Sequence, residues 1–148
     1  MSSQEKNLYA VIISTIIVSC IYAFMLFGLY QDGLFDSENA STLVGKYILL
    51  FIVANALAGF ITKLLFTAIY AMVTKECETE PLDERDKLIE LHGMQLSYAV
   101  CGGCIILSFL SLYLGWPSWL VFNLLCYSIV VGELVGNVFK LAQYRRGY

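Results

Sequence analysis

Charged residues are scarce in this sequence. Lysine, arginine, aspartate and glutamate together make up 14% of its 148 residues, whereas a soluble domain usually carries about 25%. Hydrophobic residues make up 59%, and the mean hydropathy is +0.72. A soluble protein of this size has too little interior to bury so many apolar side chains. The shortage of charge therefore excludes an ordinary soluble domain and indicates one domain whose solvent is the lipid bilayer.

A basic surface is also missing. Nine basic residues stand against twelve acidic ones, which gives a net charge of -3, so nucleic acid is not an expected partner. The N-terminus has one basic residue, Lys6, before an apolar run that reaches Tyr30. A cleaved signal has an apolar region of roughly 7–15 residues followed by a small-residue cleavage site. Neither feature is present, so we expect this first run to be a membrane span.

Four apolar runs are long enough to cross a bilayer as helices. A spanning helix needs about 20 mostly apolar residues, because the hydrocarbon is roughly 30 Å thick. Backbone polar groups in hydrocarbon must pair internally, which favours helices over open strands. The sequence therefore predicts an all-α, polytopic membrane protein that forms one four-helix transmembrane bundle. The predicted spans are residues 7–30, 46–73, 88–116 and 118–143.

The distribution of lysine and arginine predicts the orientation of the bundle. Seven of the nine basic residues fall on one side of the predicted spans and one falls on the other, while Lys63 lies inside. The positive-inside rule then places both termini and the loop at residues 74–87 in the cytoplasm. Spans three and four are joined by residues 115–118 alone, which requires an antiparallel hairpin. We expect a multi-pass protein of the bacterial inner (cytoplasmic) membrane.

Charge is densest at residues 80–98, which lead into the third span. Pro81 suits an early helical position, and Asp83 can cap the helix with Asp86 three residues later. Acidic residues in the first turns are also favoured by the helix dipole. A solvated, well-capped helix base accounts for this pattern, and a binding face is the alternative.

The C-terminal arginines are predicted to reach the same cytoplasmic face. Arg145 and Arg146 could pair with Asp83, Glu84 or Asp86 and so tie the third and fourth spans together at their base. An exposed pair of this kind contributes only ~0–1 kcal/mol. Contact of the arginines with anionic lipid headgroups is an equally ordinary outcome, and docking of a cytoplasmic protein partner is a third.

Two short elements are expected at this face, Asp83-Glu84-Arg85-Asp86 and Tyr144-Arg145-Arg146-Gly147. Both resemble elements of a known family. The chain is similar to small four-span membrane proteins of bacteria and archaea that form a family of unknown function. The resemblance covers the length, the span count and eight residues. It implies a regulatory or accessory role, since members often accompany a helix-turn-helix regulator, and it implies no catalytic residue.

Two charged residues are predicted to lie within the hydrocarbon. Lys63 is about 16 Å from the inner end of the second span, and Glu133 is about 12 Å from the inner end of the fourth. An unpaired charge at such a depth costs at least about 2.5–3.5 kcal/mol. We predict that the two side chains pair within one bundle. An ion or proton pathway, snorkelling to the interface and pairing between protomers are the alternatives.

Small residues predict where helices approach closely. Gly132 and Gly136 form a G-x-x-x-G pattern in the fourth span, and Gly102 and Gly103 are adjacent in the third. Small side chains let another helix backbone come near. We predict that these four glycines lie at helix contacts.

Cys101 and Cys104 flank the paired glycines as a C-x-x-C pattern, which is also found in membrane thiol oxidoreductases. Their predicted depth disfavours thiolate formation, and the predicted outer loops contain no second cysteine pair. His92 lies about 13 Å from Cys101 along the helix, so these residues do not form a metal site. We expect no metal or other cofactor and interpret the cysteines as small packing residues.

Together these features predict a non-enzymatic accessory or regulatory membrane protein that acts through helix–helix and cytoplasmic-face contacts. We expect a homo-oligomer or a subunit of a membrane complex. A small oligomeric ion or solute transporter or channel that uses Lys63 and Glu133 is the first alternative. A membrane thiol-disulfide oxidoreductase that uses Cys101 and Cys104 is the second.

Overall fold

The computed structural model describes residues 3–36, 40–74 and 84–146. This part of the chain contains four long α-helices and a single 3₁₀ turn. The predicted all-α class is thereby confirmed. The helices are α1 (Ser3–Gln31), α2 (Ala40–Thr74), α3 (Glu84–Tyr113) and α4 (Ser118–Arg146), and the 3₁₀ turn is Leu34–Asp36.

Each of the four helices is long and apolar enough to cross a membrane. The shortest has 29 residues, which corresponds to about 43 Å at 1.5 Å per residue. This exceeds the hydrocarbon thickness of about 30 Å, so each helix is longer than a single crossing requires. The architecture is that of a multi-pass membrane protein. The predicted third span runs three residues too far, because α3 ends at Tyr113.

The turn between α3 and α4 follows directly from the local sequence. Gly115 has a φ of 83°, a left-handed conformation that suits glycine after a helix. Its N–H donates to the carbonyl of Leu112 at 3.1 Å, and the N–H of Trp116 donates to that of Ser111 at 3.1 Å. This double hydrogen bond closes the helix as a Schellman motif. The carbonyl of Pro117 then accepts from the N–H groups of Leu120 and Val121 in α4, and the chain reverses within four residues.

The central helix is α4. It contacts α1, α2 and α3, whereas α3 packs along α4 and has at most a marginal contact with α1 or α2 among the described residues. Helices α1, α2 and α4 therefore form one cluster, and α3 is attached to the outer side of α4. Clefts remain beside α4 where α3 does not meet α1 or α2.

An aromatic cluster holds α1, α2 and α4 together. The rings of Tyr22 and Phe51 are stacked with centroids 4.1 Å apart and planes inclined by 13°. The ring of Tyr127 lies 5.9 Å from Tyr22 and 5.5 Å from Phe51. Cys126 and Val130 complete the buried core around these rings. Stacked and tilted rings at these distances attract each other beyond their area of contact.

Candidate functional site

Helices α3 and α4 meet along a seam of small residues. We call this the small-residue seam; it comprises Gly93, Ser97 and Cys101 of α3 with Gly132 and Gly136 of α4. A Cβ atom placed on Gly132 would lie 2.8 Å from the carbonyl oxygen of Ser97 and 2.9 Å from Cβ of Cys101. On Gly136 it would lie 2.8 Å from the carbonyl oxygen of Gly93. The backbones thus approach so closely that glycine is required on α4.

The seam continues toward the α3–α4 turn through buried serines. The hydroxyls of Ser108 and Ser111 donate to the carbonyls of Cys104 and Ser108 at 2.8 and 2.7 Å. The hydroxyl of Ser128 on α4 donates to the carbonyl of Leu124 at 2.8 Å. Each hydroxyl is satisfied within its own helix, so these side chains provide small volume without an unpaired polar group.

Gly102 and Gly103 do not make the contact predicted for them. Nothing lies within 4 Å of a Cβ atom built on either residue, and Gly103 is exposed. The reason is helical phase. Because Cys101 faces Gly132 and each residue advances about 100°, the next two residues turn away from α4. In the single chain, close approach on this part of α3 is made at Cys101.

The two cysteines of the C-x-x-C pattern are free thiols on adjacent turns of α3. The side chain of Cys101 is packed in the seam against Gly132, whereas Cys104 borders an open groove between α3 and α4. Among the described residues, no three histidine, cysteine or acidic side chains come together as they would around a metal ion.

Lys63 and Glu133 are both exposed on the surface of the single chain. Within the described residues no salt bridge joins them, so the pairing predicted within one bundle is not formed in this structure. On α4, Glu133 lies between the face that packs on α3 and the face that packs on α2. It therefore borders the cleft between those two helices.

The register of α2 and α4 explains why the two charges do not meet. The helices run in the same direction, and Phe51 lies level with Tyr127 in the aromatic cluster. Lys63 is twelve residues beyond Phe51, or about 18 Å, whereas Glu133 is six residues beyond Tyr127, or about 9 Å. Lys63 therefore lies about 9 Å nearer than Glu133 to the end at which α2 and α4 finish, whereas the depths measured from the predicted spans put it about 4 Å farther from that end.

The end of the bundle at which α1 and α3 begin and α4 ends carries a group of polar contacts. We call it the terminal-end cluster. Asp86, Glu90 and Arg85 on α3 lie within electrostatic range of the partly buried phenol of Tyr144 on α4. None of Glu84, Arg85 and Asp86 is without a partner. The first turns of α3 and the last turns of α4 therefore lie side by side at this end of the bundle.

The C-terminal arginines differ in what they contact. The guanidinium of Arg145 lies over the ring of Tyr9 on α1, 5.6 Å from its centroid, at a distance suited to a cation–π interaction. Arg146 is exposed. Tyr144, which was not among the predicted contact residues, thus faces the Asp-Glu-Arg-Asp element of α3. Asp83 and Gly147 of the two predicted elements lie outside the described residues.

A polar contact in the core was also missed in the sequence. The hydroxyl of Tyr22 donates to Oδ1 of Asn123 at 2.5 Å, and Nδ2 of Asn123 donates to the carbonyl of Trp119 at 2.7 Å. The hydroxyl of Tyr127 donates to the carbonyl of Ser19 at 3.1 Å. These bonds satisfy polar groups that would be costly to bury unpaired in hydrocarbon. Both tyrosines lie in long apolar runs. Nothing in the sequence of those runs indicates which acceptor each hydroxyl bonds to.

Comparison with known proteins found no family model, curated protein or solved structure that matches this chain.

Proposed function

We propose that the protein is a non-enzymatic accessory or regulatory protein of the bacterial inner membrane, with both termini in the cytoplasm. The observation that carries this proposal is the terminal-end cluster, in which Arg145 of α4 lies over the ring of Tyr9 on α1 and the charged first turns of α3 lie within electrostatic range of Tyr144. Residues 84–86 and 144–146 belong to the two short elements that resemble a family of unknown function, and they lie at the same end of the bundle. Together they offer a compact charged surface to a cytoplasmic protein.

The short turn between α3 and α4 and the open sides of α3 support a role in binding other proteins. Helices α3 and α4 are joined by a four-residue turn, which leaves no room for a soluble subdomain between these two helices. The open sides of α3 also offer helix surface to a homo-oligomer or a membrane complex, since α3 packs mainly on α4. Both kinds of contact suit a protein that positions or regulates another protein.

The test compares two variants. The first replaces Asp83, Glu84 and Asp86 together by neutral residues, and the second is the control Asp32→Asn at the opposite end. Full-length protein is crosslinked in its native membrane, and the products are identified by mass. We expect the triple variant to lose a defined crosslinked protein while its melting temperature stays within a few degrees of the parent. Loss of folding instead would assign these carboxylates a structural role. An unchanged crosslinking pattern would contradict docking at this surface.

The alternative function is a small oligomeric ion or solute transporter or channel. Exposure of both Lys63 and Glu133 favours it, because charges at this depth require a partner, a lipid headgroup or water. Flux measured in liposomes is expected to disappear with Glu133→Gln and to persist with Asp32→Asn. Flux that is equal in both variants would remove Glu133 from any pathway.

A thiol-disulfide oxidoreductase that uses Cys101 and Cys104 is less well supported, because the Cys101 side chain packs against Gly132 in the seam. A reactive thiol needs access and a stabilised thiolate. Acid-quenched alkylation of cells shows the redox state directly. A Cys101–Cys104 disulfide trapped in this way would revive the oxidoreductase, and two fully reduced thiols would end it.

A further inference from the structure

A long groove runs along α4 between α1 and α3, on the side where those two helices do not meet. Its larger part, about 690 Å³, lies between α1 and α4, and its smaller part, about 350 Å³, lies between α3 and α4. Both parts share Leu124 and Tyr127, so they form one surface. The larger part is lined by apolar side chains that include Ile16, Cys20, Ala23, Phe27, Leu120 and Leu124.

We propose that this groove binds an acyl chain of one membrane phospholipid from the leaflet at the α3–α4 turn. Away from the aromatic residues at its mouth, the side-chain amide and the phenol that reach the larger part of the groove are already hydrogen-bonded within the protein. Asn123 is bonded to Tyr22 and Trp119, and the hydroxyl of Tyr127 is bonded to Ser19. The occupant is therefore apolar along its length.

The length of the groove identifies the occupant as a lipid chain and not a second transmembrane helix. It extends along α4 from Trp119 to Leu134, fifteen residues or about 22 Å. This is half of a bilayer about 40–45 Å thick including the headgroups. The α4 helix itself has 29 residues. A helix of a second copy would cross the whole membrane, whereas a phospholipid occupies one leaflet only.

Aromatic residues form the mouth of the groove at the α3–α4 turn. The rings of Phe35 and Trp119 are stacked 4.4 Å apart, and Tyr30 lies 5.8 Å from Trp119. Trp116 borders the smaller part of the groove. Indole and phenol groups favour the headgroup region, where their polar edges meet lipid and water. They are placed where the glycerol and headgroup of a bound phospholipid would lie.

The test fills the groove with one side chain. Ala23→Phe places a ring in the larger part, and Ala56→Phe places the same ring on an exposed face of α2 as a matched control. Full-length protein is extracted in mild detergent, and native mass spectrometry measures the fraction of it that retains a phospholipid. We expect one phospholipid to remain on the parent and on Ala56→Phe. In Ala23→Phe the lipid-bound fraction falls at least about tenfold, a change of ~1.4 kcal/mol.

A second measurement in bilayers does not depend on detergent or on survival of the complex in the gas phase. Trp116→Phe leaves Trp119 as the fluorescent reporter, and phospholipids with brominated acyl chains quench it on contact. Ala23→Phe is expected to weaken this quenching, and Ala56→Phe to leave it unchanged. Equal quenching and equal lipid retention in both variants would overturn the proposal. So would a retained fatty acid in place of a phospholipid, or a dimer that Ala23→Phe dissociates.

Discussion

Gly136 of α4 lies so close to Ser97 of α3 that a methyl group on the glycine would be 2.9 Å from Cβ of the serine. Unstrained carbon atoms that are not bonded attract each other best at about 3.5–4.0 Å. Since α3 has no other extensive contact among the described residues, its attachment to the bundle depends on this seam. In lipid, such an attachment rests on packing and not on hydrophobic burial.

We expect Gly136→Ala to destabilise the α3–α4 hairpin by about 1–3 kcal/mol, the usual cost of overfilling a packed contact. The added methyl would also lie 2.8 Å from the backbone oxygen of Gly93, which cannot move without shifting α3. Unfolding in detergent–SDS mixtures, followed by energy transfer between dyes on α3 and α4, measures the change.

Gly103→Ala is the matched control for this substitution. Its methyl group meets nothing within 4 Å, and alanine has a helix propensity about 1 kcal/mol better than glycine. We therefore expect it to be neutral or stabilising. Equal losses in Gly103→Ala and Gly136→Ala would show that the seam does not hold the hairpin.

Gly93 provides a contrasting case within the same seam. A methyl group on Gly93 collides with the side-chain carbons of Lys140, which belong to a flexible chain. We expect Gly93→Ala to cost less than Gly136→Ala, and Lys140→Ala to remove most of that cost in the double variant. A double-mutant cycle in the same unfolding assay measures the coupling. Additive effects would contradict direct contact between these two residues.

The four helices could be predicted because each leaves a strong one-dimensional signal, a run of apolar residues longer than the hydrocarbon is thick. The α3–α4 hairpin was also predictable, because the connection between these spans is very short and contains the turn-forming residues Gly115 and Pro117. The partner of the G-x-x-x-G pattern was not predicted. Gly93, Ser97 and Cys101 recur at intervals of four residues, and this spacing was the signal that could have identified them.

Contacts that depend on register could not be predicted from the sequence. The depths of Lys63 and Glu133 were measured from the ends of predicted spans, which are uncertain by several residues. The stacking of Phe51 with Tyr22, and the position of Tyr127 beside them, determine how α2 sits against α4. No residue pattern along α2 predicts that Phe51 stacks on Tyr22. The axial offset between Lys63 and Glu133 could therefore be determined only from the structure.

Tyr22→Phe isolates the polar bond in the core while it keeps the ring stacked on Phe51. The change leaves Oδ1 of Asn123 without its donor in a buried site. We expect a loss of about 0.6 kcal/mol and at most about 1.7 kcal/mol, the average and the maximum measured for hydrogen bonds between membrane helices. Tyr113→Phe is the control, because Tyr113 is 86% exposed and should change stability little. Equal thermal stability of the parent and Tyr22→Phe in detergent would show that the bond contributes nothing net.

The contact of Arg145 with Tyr9 is expected to fasten the last turn of α4 to α1. An exposed cation–π pair contributes about 0.5–1 kcal/mol, so Arg145→Ala and Tyr9→Leu should each loosen that end by a similar amount. Their effects should not add, because either change removes the same contact. Amide hydrogen exchange near the end of α4 reports the loosening. Arg146→Ala, which removes a neighbouring exposed charge, should leave exchange unchanged. If it speeds exchange as much as Arg145→Ala does, general charge at the helix end is responsible and the ring of Tyr9 is not.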